Sequence, residues 1–188
     1  GGTPAKFNLS SAGITEANVG DGKPDILISQ TAQPTSGNED ELKFVKSDGT
    51  TVVGIPVTLD ITNEPVVGNW VVDFFKMDGS AIDTGDSSTP SNFVNTERPI
   101  HFFAIDIADF GITTGATGNF TDAAALIYTP QGSSDPSFIA FNEPSLGVAS
   151  KLSVLAQPTK QQCDGTLGTD VTVQLEDMNG NFVPQAGI

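Results

Sequence analysis

The sequence has little of what many enzymes and disulfide-stabilised proteins depend on. Its 188 residues include one cysteine, Cys163, so a disulfide within these residues is excluded. That cysteine and the one histidine, His101, cannot build a zinc site, which usually takes four nitrogen or sulfur ligands. No run of about 18 apolar residues occurs, so no segment is suited to cross a membrane as a helix. We therefore expect stability to come from packing, and we predict no membrane insertion.

Basic residues are also scarce. Eight Lys and Arg stand against 23 Asp and Glu, which gives a formal net charge of −15. This balance argues against nucleic-acid binding, which needs clustered Lys and Arg, and against an anionic membrane surface. The hydrophobic fraction of 37% is sufficient for a core. An acidic, lysine-poor composition rich in Thr and Gly is typical of secreted bacterial surface proteins, so we expect an extracellular location at the bacterial cell surface.

Short apolar or alternating runs between turn clusters indicate strands. The turn Ser47–Thr50 contains Asp-Gly, a pair that favours a hairpin. The predicted strands are Ala5–Leu9, Pro24–Ser29, Glu41–Lys46, Thr51–Asp60, Trp70–Lys76, Arg98–Asp106, Ala123–Tyr128, Ser137–Asn142, Lys151–Ala156 and Asp170–Glu176. The fold class that follows is all-β, an antiparallel β-sandwich of the jelly-roll or immunoglobulin-like kind.

Individual positions refine this fold. Pro56 predicts an edge strand or a bulge, because proline cannot donate a ladder hydrogen bond. The apolar runs Ile100–Ile107 and Val71–Phe75 are the best candidates for central strands. Helical turns are expected only at Ala108–Ile112 and Thr121–Ala125.

A change of composition near residues 144–150 predicts a domain boundary. The block before it is rich in Phe, and the block after it is rich in Thr, Gln and Val. We predict a β-sandwich domain over residues 1–148 and a second, incomplete unit over residues 149–188. A piece of about 40 residues is near the minimum for independent folding, so we expect the chain to belong to a longer protein.

The second unit carries a recognisable pattern. Lys151–Pro158 ends in Gln-Pro, Gly165 and Gly168 follow, and Val171–Val183 runs through Asp177-Met-Asn-Gly-Asn. This pattern resembles the opening half of the bacterial Ig-like repeats in large secreted adhesins of the invasin type. The resemblance implies the first strands of an Ig-like repeat, with further Ig-like repeats of the same chain as its neighbours.

The first block carries a second resemblance. Arg98–Asp106, Asp109–Ile112 and Ser134–Asn142 are similar to segments in surface proteins of Bacteroidota, among them the long mobile adhesins of gliding bacteria. This resemblance implies a role in attachment and gliding motility. It attaches no functional residue to these segments.

One segment is a candidate calcium loop. Glu16–Asp25 ends in Asp-Gly-x-x-Asp, and Asn18, Asp21 and Asp25 could supply hard oxygen ligands. Ala17 and Val19 stand where a regular loop would place further oxygens. The alternative is a polar turn that leads into the next strand, so calcium stays a hypothesis and no cofactor is certain.

Two aromatic residues are candidates for stacking on a sugar ring, Trp70 and Tyr128. Trp70 precedes an apolar run, which favours core packing instead. His101 lies between Ile100 and Phe102, which favours a packed or surface histidine over a general base. We therefore predict no catalytic site.

Three functional hypotheses remain, of which a glycosidase or other hydrolase is the weakest because no catalytic site stands out. The first is a segment of a large extracellular bacterial adhesin or filament, with a structural and adhesive role and a surface glycan or protein as ligand. The second is a carbohydrate-binding accessory module of a secreted polysaccharide-degrading enzyme.

Overall fold

The structure, a computed structural model, describes residues 3–31, 39–72, 75–77, 88–90, 96–131, 134–156 and 172–184. Within them, the strands are β1 (Ala5–Ile14), β2 (Ile26–Gln30), β3 (Asp40–Val45), β4 (Val52–Leu59), β5 (Gly68–Val72), β6 (Phe75–Met77), β7 (Ser88–Pro90), β8 (Thr96–Ile105), β9 (Ala125–Thr129), β10 (Pro136–Phe141), β11 (Leu146–Val148), β12 (Lys151–Ala156) and β13 (Thr172–Glu176). Short 3-10 helices span Glu16–Asn18, Ile107–Phe110 and Phe120–Asp122. No helix of the described chain is long and apolar enough to cross a bilayer.

Two antiparallel sheets form the main body. One has the order β11-β1-β9-β3-β4 and the other β10-β2-β8-β5. Both contribute to one apolar core, whose fully buried members include Ile26, Ile28, Leu42, Phe44, Phe110 and Leu126. Because two sheets bury their inner faces against each other, the prediction of an all-β antiparallel sandwich is confirmed.

Each of the ten predicted strands overlaps an observed strand, and one prediction about a strand's position in its sheet is wrong. β8 lies between β2 and β5, so the prediction that Ile100–Ile107 is central is confirmed. The prediction that Val71–Phe75 is central is wrong, because β5 is the edge of its sheet in the described chain. An apolar run indicates burial by neighbours of any kind and does not require a strand on each side. β4, which contains Pro56, is an edge strand as predicted.

The sandwich has two ends. β1 begins at one end, where Ala5 pairs with Tyr128, and we call this end the base. β11 runs antiparallel to β1, so the chain leaves β11 heading toward the base, and β12 begins after two further residues. The opposite end, the tip, carries the connections 15–25, 46–51, 106–124 and 142–145.

β12 and β13 form a separate two-stranded sheet in the described chain, in which Leu152 pairs with Leu175 and Val154 with Val173. The two strands overlap the predicted strands Lys151–Ala156 and Asp170–Glu176, and the Ig-like repeat stays a prediction. The domain boundary at residue 148 stays a prediction. Residues 177–184, which follow the hairpin, return to contact β1.

One glycine fixes how β4 packs on the tip. Gly54 has φ of 74°, and a Cβ at this position would lie 2.0 Å from the Phe110 carbonyl oxygen. Phe110 in turn packs edge-on against Phe44, with ring centroids 4.8 Å apart. A side chain at position 54 would therefore need both an unfavourable backbone conformation and a shift of the 3-10 helix Ile107–Phe110.

We predict that Gly54→Ala destabilises the fold by at least about 2 kcal/mol, because positive φ and a backbone clash add. Gly68→Ala is the matched control, since Gly68 is not in the positive-φ region and a Cβ there meets no atom within 4 Å. Urea unfolding followed by circular dichroism measures both. Equal stability of the two variants would contradict this packing.

Candidate functional site

Asp25 is the most buried of the three predicted calcium ligands. It immediately precedes β2 at the tip and is 1% exposed. Its Oδ2 accepts a hydrogen bond of 2.9 Å from the Ile107 amide, and its carbonyl oxygen accepts one of 2.8 Å from the Asn142 amide. Its Oδ1 is buried and makes no hydrogen bond of normal geometry, although the Ser145 hydroxyl lies near enough to the carboxyl group to lower its pKa. The carboxylate thus joins three segments of the tip and leaves one oxygen unused.

Asn18 lies in the 3-10 helix Glu16–Asn18, where its Nδ2 donates to Ser145 Oγ at 2.8 Å. Asn142 Nδ2 donates to the same hydroxyl oxygen, also at 2.8 Å. Asp21 is turned to its own loop, where Oδ1 accepts from the Lys23 amide at 2.9 Å. The structure therefore brings Asn18 and Asp25 to the turn Asn142–Ser145 and holds Asp21 nearer the surface.

Negative charge accumulates around Asp25. Burial raises the pKa of its carboxyl group, and the charges of Asp106 and Asp21 raise it further, while the Ser145 hydroxyl and the Ile107 amide lower it. In the described part of the chain, no three His, Cys, Asp or Glu side chains are grouped as a metal site. A cation here would thus need amide and hydroxyl oxygens as well as carboxylates.

The structure describes the side chain of one of the two predicted sugar-stacking residues. Tyr128 is 6% exposed and lies in the core at the base. This corrects the prediction that Tyr128 is a stacking ring, because a buried ring offers no face to a sugar. Trp70 lies on β5, opposite Arg98 of β8, and its side chain is outside the described residues.

The Tyr128 hydroxyl belongs to a buried polar network centred on Asp40. Asp40 Oδ2 accepts from Tyr128, from Ser134 Oγ at 2.6 Å and from the Gln30 side-chain amide, and Oδ1 accepts from the Gln131 amide at 2.8 Å. Burial and the Asp40 carboxylate raise the pKa of Tyr128. With a donor for each carboxylate oxygen, Asp40 fixes the connection after β9, and the network is structural.

His101 is 2% exposed, and its Nδ1 lies 3.0 Å from the Glu64 carbonyl oxygen. Its Nε2 has no hydrogen-bond partner. Neither ring nitrogen is therefore hydrogen-bonded to a described serine. The burial of the ring agrees with the interpretation of His101 as a packed residue. Cys163 lies outside the described residues.

A contact that the sequence did not predict joins the hairpin to the sandwich. After β13, Asp177 is 1% exposed, and its Oδ2 accepts a hydrogen bond of 2.7 Å from Ser10 Oγ in β1. Val183 is buried, and Asn8 Nδ2 donates to the Pro184 carbonyl oxygen at 2.6 Å. We call this contact between residues 177–184 and β1 the junction.

The junction is built around a charged carboxylate. Burial alone would raise the pKa of Asp177, but hydrogen bonds from Asn181, Ser10 and the Asn179 amide outweigh it, so the pKa is lowered. The turn Asp177–Asn181 is closed by local hydrogen bonds from the amides of Asn179 and Asn181, whereas the partner Ser10 is 167 positions away. Local spacing carries no signal for a pairing at that distance.

Comparisons with protein families, with curated proteins and with solved structures find no match to this chain. The proposed function therefore rests on the contacts and the exposed residues of the tip, the base and the junction.

We predict that Ser10→Ala destabilises the protein by about 2 kcal/mol at neutral pH, because a buried carboxylate loses a donor. Since the folded-state pKa of Asp177 is depressed, its contribution is present above the unfolded value of about 3.9 and is lost as pH falls through the folded value. The cost of Ser10→Ala should accordingly shrink below about pH 4.

Ser11→Ala is the control, because Ser11 is the exposed neighbour in the same strand. Urea unfolding at neutral and acidic pH compares the variants. A charged junction would be contradicted if Ser10→Ala lowered the free energy of unfolding no more than Ser11→Ala. It would also be contradicted if the loss were the same at both pH values.

Proposed function

We propose that this chain is a segment of a large extracellular bacterial surface adhesin and that its role is structural and adhesive, without catalysis. The observation that carries this proposal is the separation of the two ends of the sandwich. β1 begins at the base, and β11 heads toward the base before the chain passes into β12. The chain leaves β11 beside Leu9, in the middle of β1, so the passage to the hairpin does not run through the exposed connections of the tip.

The junction supports a presenting role. Two residues separate β11 from β12, and the buried Asp177 and Val183 hold the hairpin against β1. A short connection with buried contacts limits the motion of one unit relative to the other, so the tip keeps a defined orientation. This arrangement favours a sandwich held along β1 over a sandwich linked in series through opposite ends.

Surface charge fits the same role. The net charge of −15 disfavours collapse onto an anionic cell surface and keeps a protruding module in solvent. Among the tip residues, Thr114, Ala116 and Thr117 are exposed in the connection between β8 and β9. We propose that such exposed tip loops contact a surface glycan or protein.

The carbohydrate-binding accessory module is less well supported. It depended on Trp70 and Tyr128 as stacking rings, and Tyr128 is buried in the Asp40 network. No described contact favours this function over adhesion.

The proposal is tested by displaying the chain on a non-adherent bacterium through a membrane anchor and measuring attachment to abiotic, polysaccharide-coated and cell-coated surfaces. We expect attachment above that of the anchor alone. The double variant Ala116→Lys/Thr117→Lys should reduce it to the level of the anchor, because it alters an exposed tip loop.

Val66→Lys/Val67→Lys is the matched control, since it adds the same charge at exposed residues of the connection 60–67 at the base. Attachment equal to the anchor on every surface would refute the adhesive role. Equal loss in the tip and base variants would refute presentation by the tip.

A further inference from the structure

We propose that the tip holds a binding site for a single calcium ion, centred on Asp25 Oδ1 and completed by oxygens of Asn18, Asn142 and Ser145. This site does not depend on the adhesive role. It differs from a local calcium loop, because two of its four residues come from a turn more than a hundred positions further along the chain.

The first support is the buried, unsatisfied oxygen. Asp25 is 1% exposed, and its Oδ1 makes no hydrogen bond of normal geometry, although the Ser145 hydroxyl is nearby and Oδ2 and the backbone groups are all engaged. Buried polar atoms in folded proteins are satisfied in the great majority of cases, so an orphaned carboxylate oxygen indicates a bound ion or water.

The second support is the chemistry of its surroundings. Asn18 and Asn142 both point their side-chain amides at Ser145 Oγ, each at 2.8 Å. A half turn of either amide group exchanges its nitrogen for its oxygen and leaves the rest of the side chain in place. The cluster can therefore present two amide oxygens and a hydroxyl oxygen beside the carboxylate.

The third support is charge. Asp106 precedes Ile107, whose amide donates to Asp25 Oδ2, and Asp106 Oδ1 accepts a hydrogen bond from the amide of Gly20, which adjoins Asp21. The neighbouring Lys23 is directed to Asp21, with Nζ 3.4 Å from Oδ2, and its side chain is 75% exposed. Two further carboxylates therefore stand near Asp25, and a bound cation would offset their mutual repulsion.

Calcium suits this set better than other common ions. It accepts carboxylate, amide and hydroxyl oxygens with flexible geometry, and water can fill the remaining positions. Magnesium demands a stricter octahedron and retains more of its water. The cluster has no imidazole or thiolate, the ligands that zinc and copper prefer. Asp21 and Asp106 would act at longer range.

A bound ion would tie together three connections of the tip, 15–25, 106–124 and 142–145. Asn18 and Asp25 belong to the first, Ile107 is held by Asp25 in the second, and Asn142 and Ser145 form the third. Calcium should therefore stabilise the whole sandwich and not one loop alone.

The test uses the full chain, stripped with EDTA and dialysed into buffer with enough sodium chloride to screen diffuse binding. Titration calorimetry with calcium chloride should give saturable binding at one site. Thermal unfolding should shift upward by roughly 5–10 °C at a calcium concentration one hundred times the Kd. Magnesium chloride should give a smaller shift.

Asp25→Asn should abolish binding and the thermal shift. It should fold, because the asparagine side-chain oxygen can still accept from the Ile107 amide. Ser145→Ala, which removes one ligand, should weaken binding at least tenfold. Glu97→Gln is the matched control, since it removes one charge at an exposed residue at the other end of β8 and should bind as the wild type does.

Two results would overturn the site. One is the absence of saturable binding by the wild-type chain together with equal unfolding temperatures in calcium and in EDTA, which would leave Asp25 Oδ1 with bound water only. The other is wild-type calcium affinity in folded Asp25→Asn or Ser145→Ala.

Discussion

Three buried aspartates, each hydrogen-bonded by backbone amides or by side-chain donors, hold distant segments of the chain together. The rest of the described structure depends on these contacts. Asp25 joins β2 to two tip connections, Asp40 joins β3 to Gln30 and Tyr128, and Asp177 joins the hairpin to β1. With eight basic residues and one cysteine, the chain has few ion pairs and no internal disulfide available for this purpose. Charge-assisted hydrogen bonds to buried carboxylates provide the same kind of long-range connection, provided that each carboxylate finds its donors.

The contacts of these three aspartates also give the base and the tip of the sandwich different roles. Asp40 holds the base together through its network with Tyr128, and Asp177 fixes the hairpin beside β1. Asp25 lies at the opposite end among exposed connections. A sandwich held at the middle of β1, with exposed connections at its tip, is suited to present loops, and the proposed adhesive role builds on this arrangement.

Much of the sandwich could be predicted from the sequence, because strand alternation and turn residues are local signals. The turn Ser47–Thr50 forms as expected, with Asp48 Oδ1 accepting from the amides of Thr50 and Thr51. The site could be predicted only in part. Asn18 and Asp25 were found from their spacing, but Ser145 and Asn142 are contributed by a distant turn. The contact between Ser10 and Asp177 likewise has no local signature, and the burial of Tyr128 depends on Asp40, 88 positions away.

The central claim is that the junction makes the hairpin and the sandwich one cooperative body. Amide hydrogen exchange followed by mass spectrometry tests it most directly, because exchange reports the free energy of opening segment by segment. We predict that amides of β12 and β13 exchange as slowly as those of β1 and β9, and that Asp177→Ala accelerates exchange in the hairpin far more than in β9. Exchange of the hairpin within seconds in the wild-type chain, while β1 and β9 stay protected, would contradict the account.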